Sequence, residues 1–316
     1  GRRALISDGK NGPQMKKNRL YTLLALLVIL FWGTTFVSTK ILLTRLSPVQ
    51  IMLLRYLIAY AALLVIHPKF HRPEGLRQEL CCIAAALCGS TLYFLAENTA
   101  LSYTQASNVS LLISAAPILT SVVAHLFTRD ERLTRHAFYG FFLAMAGIFL
   151  VVFNGRFVLK LSPAGDLLAL AAALSWAFYT VILRKIDSRY QPVYITRRIF
   201  FYSIVTMLPC LLFDSTPFDP AVLRLPEVWG NLLFLGVVAS SLCYVLWYHV
   251  VGRLGAVRAN NFVYLNPLVT MLASIVVLHE RITLLMLAGA VLILMGVMIA
   301  EGTFPHRNQP QPANTP

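Results

Sequence analysis

The chain alternates between long apolar runs and short polar or charged connections. Ten runs approach the length needed to cross a bilayer, since a helix of roughly 20 apolar residues spans the hydrocarbon core. Apolar and polar residues do not alternate within these runs, so the pattern predicts helices rather than the strands of a membrane barrel. The predicted spans are about 20–43, 48–67, 78–101, 105–127, 133–153, 165–186, 191–213, 227–252, 256–278 and 282–301.

The second half of the chain repeats the first. Residues 105–150 align with residues 255–300, so that Pro117 meets Pro267. Each copy reads as an apolar helix, a charged turn and a second apolar helix. The second helix carries two glycines seven residues apart, and glycines of this kind let neighbouring membrane helices approach closely. We therefore expect these glycines to lie at helix contacts.

The repeat extends to the beginning of each half. At an offset of 144 residues, the segments 23–42 and 167–186 share seven of twenty positions, including Trp32 and Trp176. Each half then holds five spans, and because five is odd the second half must enter the membrane upside down relative to the first. The sequence predicts an all-α integral membrane protein of ten transmembrane helices in two five-helix inverted repeats, 20–153 and 165–301.

The two ends of the chain differ from the spans. Residues 1–14 are polar and precede Met15, and we expect them to be a leader outside the folded protein. Residues 302–316 are polar and rich in proline, which predicts a disordered tail.

Composition and charge support a membrane protein. Of 316 residues 58% are hydrophobic and 13% are charged, against roughly 45–50% and about 25% in soluble domains. The net charge of +14 lies in short clusters between spans, so nucleic acid is not an expected partner.

With the N-terminus inside, fifteen lysines and arginines fall in cytoplasmic segments and five in outer loops. This bias predicts that both termini are cytoplasmic.

One motif occurs once in each half. An alanine is followed eleven residues later by a proline, then by an apolar run, then by Glu-Arg-Leu-Thr at 131–134 or Glu-Arg-Ile-Thr at 280–283, and then by the paired glycines. The pattern resembles the EamA domain of the drug/metabolite transporter superfamily, present in two copies over 20–301. The resemblance implies a 5+5 inverted repeat of ten helices in the bacterial inner membrane. It also implies export of amino acids or related small metabolites.

A charge within a membrane span is costly and needs a partner or a water-filled cavity, and two ionisable residues within the predicted spans are candidates for the site. Glu97 is a candidate site for a substrate amine or a proton, or else a structural partner of Lys40. Arg55 is a candidate for a substrate carboxylate, because its planar fork fits that group. It is equally able to pair with Glu97 as a structural residue.

The remaining candidates are aromatic or polar residues near the expected interface between the halves. Pro117 and Pro267 are candidate hinges, since proline removes a backbone hydrogen bond. The predicted substrate-binding residues are Trp32, Thr35, Arg55, Tyr93, Glu97, Asn98, Ser110, Ser114, Trp176, Tyr179, Tyr244, Tyr248, Asn261 and Tyr264.

These observations predict a secondary transporter that works by alternating access in the lipid bilayer of the cell membrane. Its partner is a small-molecule substrate, and a proton gradient and the substrate's own gradient are both open as driving forces. The sequence contains no phosphate-binding loop and no metal-ligand motif, so we expect no enzyme activity, cofactor or metal. Two alternatives remain: a nucleotide-sugar or sugar-phosphate antiporter, which Arg55, Arg197 and Arg198 keep open, and a non-transporting membrane scaffold.

Overall fold

The fold was obtained as a computed structural model. It describes residues 8–69, 75–103, 109, 112–131, 134–153, 163–186, 189–278, 283–300 and 302. All regular structure in these residues is helical.

Within the described residues, the first repeat supplies six α-helices and the second supplies seven. The first six are α1 (Asp8–Leu42), α2 (Pro48–Ile66), α3 (Leu76–Ala86), α4 (Leu92–Tyr103), α5 (Ala116–Phe127) and α6 (Arg135–Phe153), with a π-helical segment Leu87–Thr91 that joins α3 to α4. The others are α7 (Pro163–Leu183), α8 (Pro192–Met207), α9 (Pro226–Leu233), α10 (Cys243–Leu254), α11 (Ala256–Asn261), α12 (Asn266–Leu278) and α13 (Leu284–Ala300). A π-helical segment Phe234–Leu242 joins α9 to α10, and 3₁₀ turns occupy Leu208–Phe213, Pro220–Arg224 and Phe262–Leu265.

Six helical stretches of the described chain are long and apolar enough to cross a membrane. They are Arg19–Leu42, Pro48–Ile66, Leu76–Tyr103, Pro163–Leu183, Pro192–Phe213 and Pro226–Leu254. Three shorter apolar helices cover Ala116–Phe127, Arg135–Leu150 and Leu287–Ala300. The predicted first span begins near residue 20, whereas α1 already begins at Asp8.

Both predicted hinge prolines lie where a helix begins. Pro117 is in the first turn of α5, after a turn at 114–115, and Pro267 is in the first turn of α12, after the 3₁₀ segment Phe262–Leu265. A proline fits there because the first N–H groups of a helix have no partner within it. Within the predicted span 256–278, the structure has α11 and α12 with a 3₁₀ turn between them.

The helix bundle has two ends, which we name the Asp214 end and the Arg184 end after a residue at each. At the Asp214 end, Ser47 caps α2 and donates to the Asp214 carboxylate, while Gln50 Nε2 donates to Thr216 O at 2.9 Å. At the Arg184 end, the Arg184 guanidinium binds the loop that follows α5.

Equivalent residues of the two repeats lie at opposite ends. Pro48 begins α2 beside Asp214, whereas Pro192, which is 144 residues later, begins α8 at the Arg184 end. At the Arg184 end Arg198 of α8 binds Glu79, near the beginning of α3. Such a placement of equivalent residues is what an inverted repeat predicts.

Close packing of α6 against α13 depends on glycine, as predicted. A Cβ added at Gly147 would lie 2.6 Å from Gly289 O, and one at Gly296 would lie 2.5 Å from Ala144 N. These distances leave no room for a side chain, so the prediction that the paired glycines mediate helix contacts is confirmed.

Candidate functional site

A small cavity lies between the two repeats. Helices α1, α2, α4, α7, α10 and α12 contribute to it, together with Ile113 just before α5 and the 3₁₀ segment Phe262–Leu265. Its lining residues are Trp32, Thr35, Phe36, Arg55, Tyr93, Phe94, Glu97, Ile113, Trp176, Tyr244, Val263 and Asn266. Seven of the fourteen predicted binding residues are among them: Trp32, Thr35, Arg55, Tyr93, Glu97, Trp176 and Tyr244.

The wall of the cavity is a cluster of aromatic rings from both repeats. Trp32 and Trp176, the equivalent tryptophans, meet edge to face with their ring centroids 5.1 Å apart. Tyr244 lies 5.8 Å from Trp32 and 6.0 Å from Trp176, and Tyr93 lies 5.3 Å from Trp176. Edge-to-face contacts of this kind hold aromatic rings in fixed orientations.

Hydrogen bonds to the surrounding helices occupy the polar atoms of three of these rings. Trp32 Nε1 donates to Ala239 O and Trp176 Nε1 donates to Asn260 Oδ1, both at 2.9 Å. Tyr244 Oη donates to a carbonyl of the π-helical segment in the first repeat, also at 2.9 Å. Because these donors are already used, the three rings offer the cavity mainly their apolar surfaces.

Arg55 and Glu97 bring one charge of each sign to the cavity. Their exposed fractions are 3% and 2%. Arg55 Nε donates to Ser240 Oγ at 2.6 Å, and its guanidinium carbon lies 4.2 Å from the centre of the Phe94 ring. The Glu97 carboxyl accepts a hydrogen bond from the Tyr93 hydroxyl and is attracted by the positive charge of Arg55.

Asn266 is a lining residue that the sequence-based prediction of the site did not include. Its side chain is 7% exposed, and Oδ1 is buried with no hydrogen-bond partner in the described part of the chain. Its position directly before Pro267, at a break in a predicted span, is a signal that could have identified it. Phe36, Phe94, Ile113 and Val263 were also missed, because nothing distinguishes them from ordinary apolar residues of a span.

The other predicted binding residues lie outside this lining. Asn98 Nδ2 donates to Pro48 O at 3.1 Å, and Tyr179 packs behind Trp176 at 4.9 Å. Tyr264 belongs to a separate apolar cluster with Ala144. Ser114 and Asn261 are buried and Tyr248 is half-buried. Ser110 lies outside the described residues.

A polar network joins the two repeats at the Arg184 end. Arg184 Nη1 contacts Glu131 Oε1 at 2.7 Å and Arg184 Nη2 contacts Asp130 Oδ2 at 2.5 Å. The Glu131 carboxylate also accepts hydrogen bonds from Ala256 N and Val257 N, at 2.8 and 3.1 Å. The hydrogen bond from Arg184 holds the pKa of Asp130 below its ordinary value.

Arg197 and Arg198 are bound at the Arg184 end and do not line the cavity. Arg197 donates to the backbone carbonyls of His67 and Lys69. Arg198 Nε contacts both carboxylate oxygens of Glu79, at 2.7 and 2.9 Å. In the described part of the chain, Arg55 is therefore the only arginine that lines the cavity.

Metal-ligating side chains are not grouped in the described residues. No three histidine, cysteine, aspartate or glutamate side chains there are close enough together to hold a metal ion.

Comparison with known proteins gives a family and a fold. The profile of the EamA-like transporter family matches residues 19–153 and 163–301. An uncharacterized transporter of Archaeoglobus fulgidus is 29% identical, over 88% of this chain and 96% of its own length. A probable amino-acid metabolite efflux pump of Escherichia coli is 29% identical, over 87% and 93%. One crystal structure has the same fold with a TM-score of 0.70 at 19% identity, covering 89% of this chain and 97% of its own.

Proposed function

This chain belongs to the EamA-like transporter family, and on that premise we propose that it is a secondary transporter that exports amino acids or related small metabolites. The family places it in the drug/metabolite transporter superfamily and makes it a multi-pass membrane protein. The substrate binds in the cavity between the repeats, and alternating access exposes that cavity to each side of the membrane in turn.

One observation carries the substrate class: the cavity combines aromatic walls with one buried cation and one buried anion. An amino acid offers the complementary groups, namely an apolar side chain, a carboxylate and an ammonium. The planar fork of Arg55 suits the carboxylate, and Glu97 suits the ammonium. The similarity to a probable amino-acid metabolite efflux pump supports the same class and the direction of transport.

We further propose ten membrane spans with both termini in the cytoplasm of a bacterial cell. The excess of lysine and arginine in alternate loops supports this orientation. It puts the Arg184 end of the bundle on the cytoplasmic side and the Asp214 end outside.

The positions of the arginines argue against a nucleotide-sugar or sugar-phosphate antiporter. A substrate with several phosphate charges needs several cations that converge on it. Arg197 and Arg198 instead hold backbone carbonyls and Glu79 at the Arg184 end. A non-transporting scaffold has no need of buried charges in a cavity, and those charges are costly within a membrane.

Uptake into proteoliposomes tests the proposal. The panel contains labelled amino acids, polyamines, purines, aromatic cations and nucleotide sugars, each with and without an imposed pH gradient. We expect amino acids to be taken up, and dependence on the gradient would identify proton coupling. Uptake of nucleotide sugars alone, or of nothing in the panel, would contradict the proposal.

A matched pair of variants tests whether the cavity is the transport site. Trp32→Ala removes a ring from the wall, whereas Trp229→Ala removes a tryptophan that is 49% exposed on α9. We expect the first change to lower transport strongly and the second to leave it unaltered. Equal transport by both variants would show that the cavity is not the route.

A further inference from the structure

The cavity contains three polar side chains whose acceptor atoms are available. Asn266 Oδ1 has no hydrogen-bond partner in the described part of the chain. Thr35 Oγ1 donates its proton to Trp32 O at 2.7 Å, so it can act toward the cavity only as an acceptor. The Glu97 carboxyl supplies the third acceptor, with the Tyr93 hydroxyl beside it. All three side chains are less than 9% exposed and line the same cavity.

An acceptor buried without a donor is unfavourable, so we expect a donor from a bound water or from a ligand to satisfy it. Asn266 carries such an acceptor, and the chain around it is held in place. Its backbone carbonyl accepts from Thr270 Oγ1 at 3.0 Å, and Thr270 Oγ1 also lies 2.7 Å from Gly33 O of α1. Asn266 therefore lines the cavity from the first turn of α12, which is fixed against α1.

We propose that Glu97, Asn266 and Thr35 form a three-acceptor site for a primary ammonium group of the substrate. A primary ammonium carries three N–H donors and no acceptor, so each donor has one acceptor to bind. The nearby faces of Trp32, Trp176 and Tyr244 favour the positive charge through cation–π attraction. This inference rests on the proposed function, and it names Asn266 and Thr35 as the residues that decide specificity for amines.

The site predicts how substrates are discriminated. Each N-methyl group replaces one N–H donor of the ammonium group, so each added methyl leaves one more of the three acceptors unpaired. The aromatic faces alone cannot discriminate in this way, because they attract a trimethylammonium group as well. A site built to hydrogen-bond a group rejects an analogue that lacks the group far more strongly than an apolar pocket does.

Binding can be measured without transport, because Trp32 and Trp176 line the cavity and report on it by fluorescence. The probes are L-phenylalanine, its N-methyl derivative and its N,N,N-trimethyl derivative, added to the full chain purified in detergent. We expect the primary amine to bind at least about thirtyfold more tightly than the trimethyl form, with the N-methyl form between them. Equal affinity for the three forms, or no binding of L-phenylalanine, would overturn the inference.

Substitutions at Asn266 test the residue itself. Asn266→Leu removes the acceptor, and we expect about tenfold weaker binding of L-phenylalanine with little change for the trimethyl form. Asn266→Asp keeps an acceptor in the same place and should keep the preference for the primary amine. Asn231→Leu is the control, since Asn231 Nδ2 donates to Glu227 O on α9, outside the cavity lining. An equal loss for all three probes in Asn266→Leu would indicate a purely structural role and overturn the proposal.

Two further outcomes separate this inference from the proposed function. If Asn266→Leu does not fold, as judged by its thermal midpoint, the methylation series on the wild type and on Asn266→Asp still decides the question. A chain that prefers the primary amine but transports no amino acid contradicts the proposed function alone. A chain that transports amino acids but binds the three probes equally contradicts the ammonium site alone.

Discussion

The Glu131 network offers a quantitative prediction about how one end of the transporter opens. Glu131 lies in the first repeat, and its contacts at 2.7, 2.8 and 3.1 Å are with Arg184, Ala256 and Val257 of the second. Opening the Arg184 end by rocking one repeat against the other must break these contacts. We predict that Glu131→Gln shifts the equilibrium toward a state that is open at that end.

The size of the shift follows from the exposure of the groups. Hydrogen bonds to a charged group contribute about 1.5–3 kcal/mol each when buried, and less when solvent screens them. The side chains of Glu131 and Arg184 are 14% and 26% exposed, and the glutamine amide keeps one acceptor. We therefore expect a loss of about 2 kcal/mol, which corresponds to about a thirtyfold increase in the open fraction.

Thiol labelling measures that fraction. Ala177 is fully buried in the apolar cluster with Val181 and Ala256, next to the network. In a chain whose native cysteines are replaced, Ala177→Cys should react with a water-soluble maleimide about thirty times faster when Glu131→Gln is added. The thermal midpoint of both variants reports on unfolding and should stay above the labelling temperature. Equal rates at residue 177 with and without Glu131→Gln would refute the reasoning.

Asp130→Asn is the matched control. It removes the neighbouring carboxylate that binds the same Arg184, but the Asp130 side chain is 61% exposed, so we expect less than about a threefold change. Because Arg184 lowers the folded-state pKa of Asp130, this contact stabilises the protein above the ordinary pKa of aspartate. It is lost only as the pH falls through the lowered pKa, so it stays constant at about pH 6–8, where labelling is done.

Three further changes test other parts of the fold. Gly296→Leu forces a side chain into the backbone of the facing helix, and we expect a loss of more than about 3 kcal/mol, measured as a lower thermal midpoint or loss of folded protein. Trp32→Phe keeps an aromatic ring but leaves Ala239 O without its donor, so the midpoint should fall by the equivalent of about 1–3 kcal/mol. Glu79→Gln removes the counter-charge of the half-buried Arg198 and should also lower the midpoint, while binding of L-phenylalanine in the cavity stays unchanged.

The sequence pattern predicts the repeat well because the signals for it are local. Apolar length gives the helices, and the matched tryptophans, prolines and glycines give the family and the inversion. The break before Pro267 was less evident, because apolar length does not distinguish one long helix from two short helices joined by a 3₁₀ turn. The proline itself was the better signal, since it favours the beginning of a helix.

Only half of the predicted binding residues line the cavity, and the reason is geometric. The sequence of an apolar span does not show which face of its helix points inward. Tyr93 and Tyr264 were therefore equally good candidates, although of the two only Tyr93 lines the cavity. Arg55 and Arg197 lie at similar depths in equivalent spans, yet Arg197 is held by the carbonyls of His67 and Lys69. Such contacts depend on the packing of distant segments, which periodicity does not encode.

The proposed binding cavity lies where the repeat departs from its own symmetry. The aromatic wall is nearly symmetric, because Trp32 and Trp176 are equivalent and meet at 5.1 Å. The charges are not symmetric. At the offset of 144 residues the position equivalent to Arg55 is Ile199, which is buried in the apolar core. In the proposed binding mode, a substrate meets both ionisable groups on the first repeat. We infer that a nearly symmetric scaffold carries an asymmetric site, which would fix the orientation of the substrate while the two repeats rock.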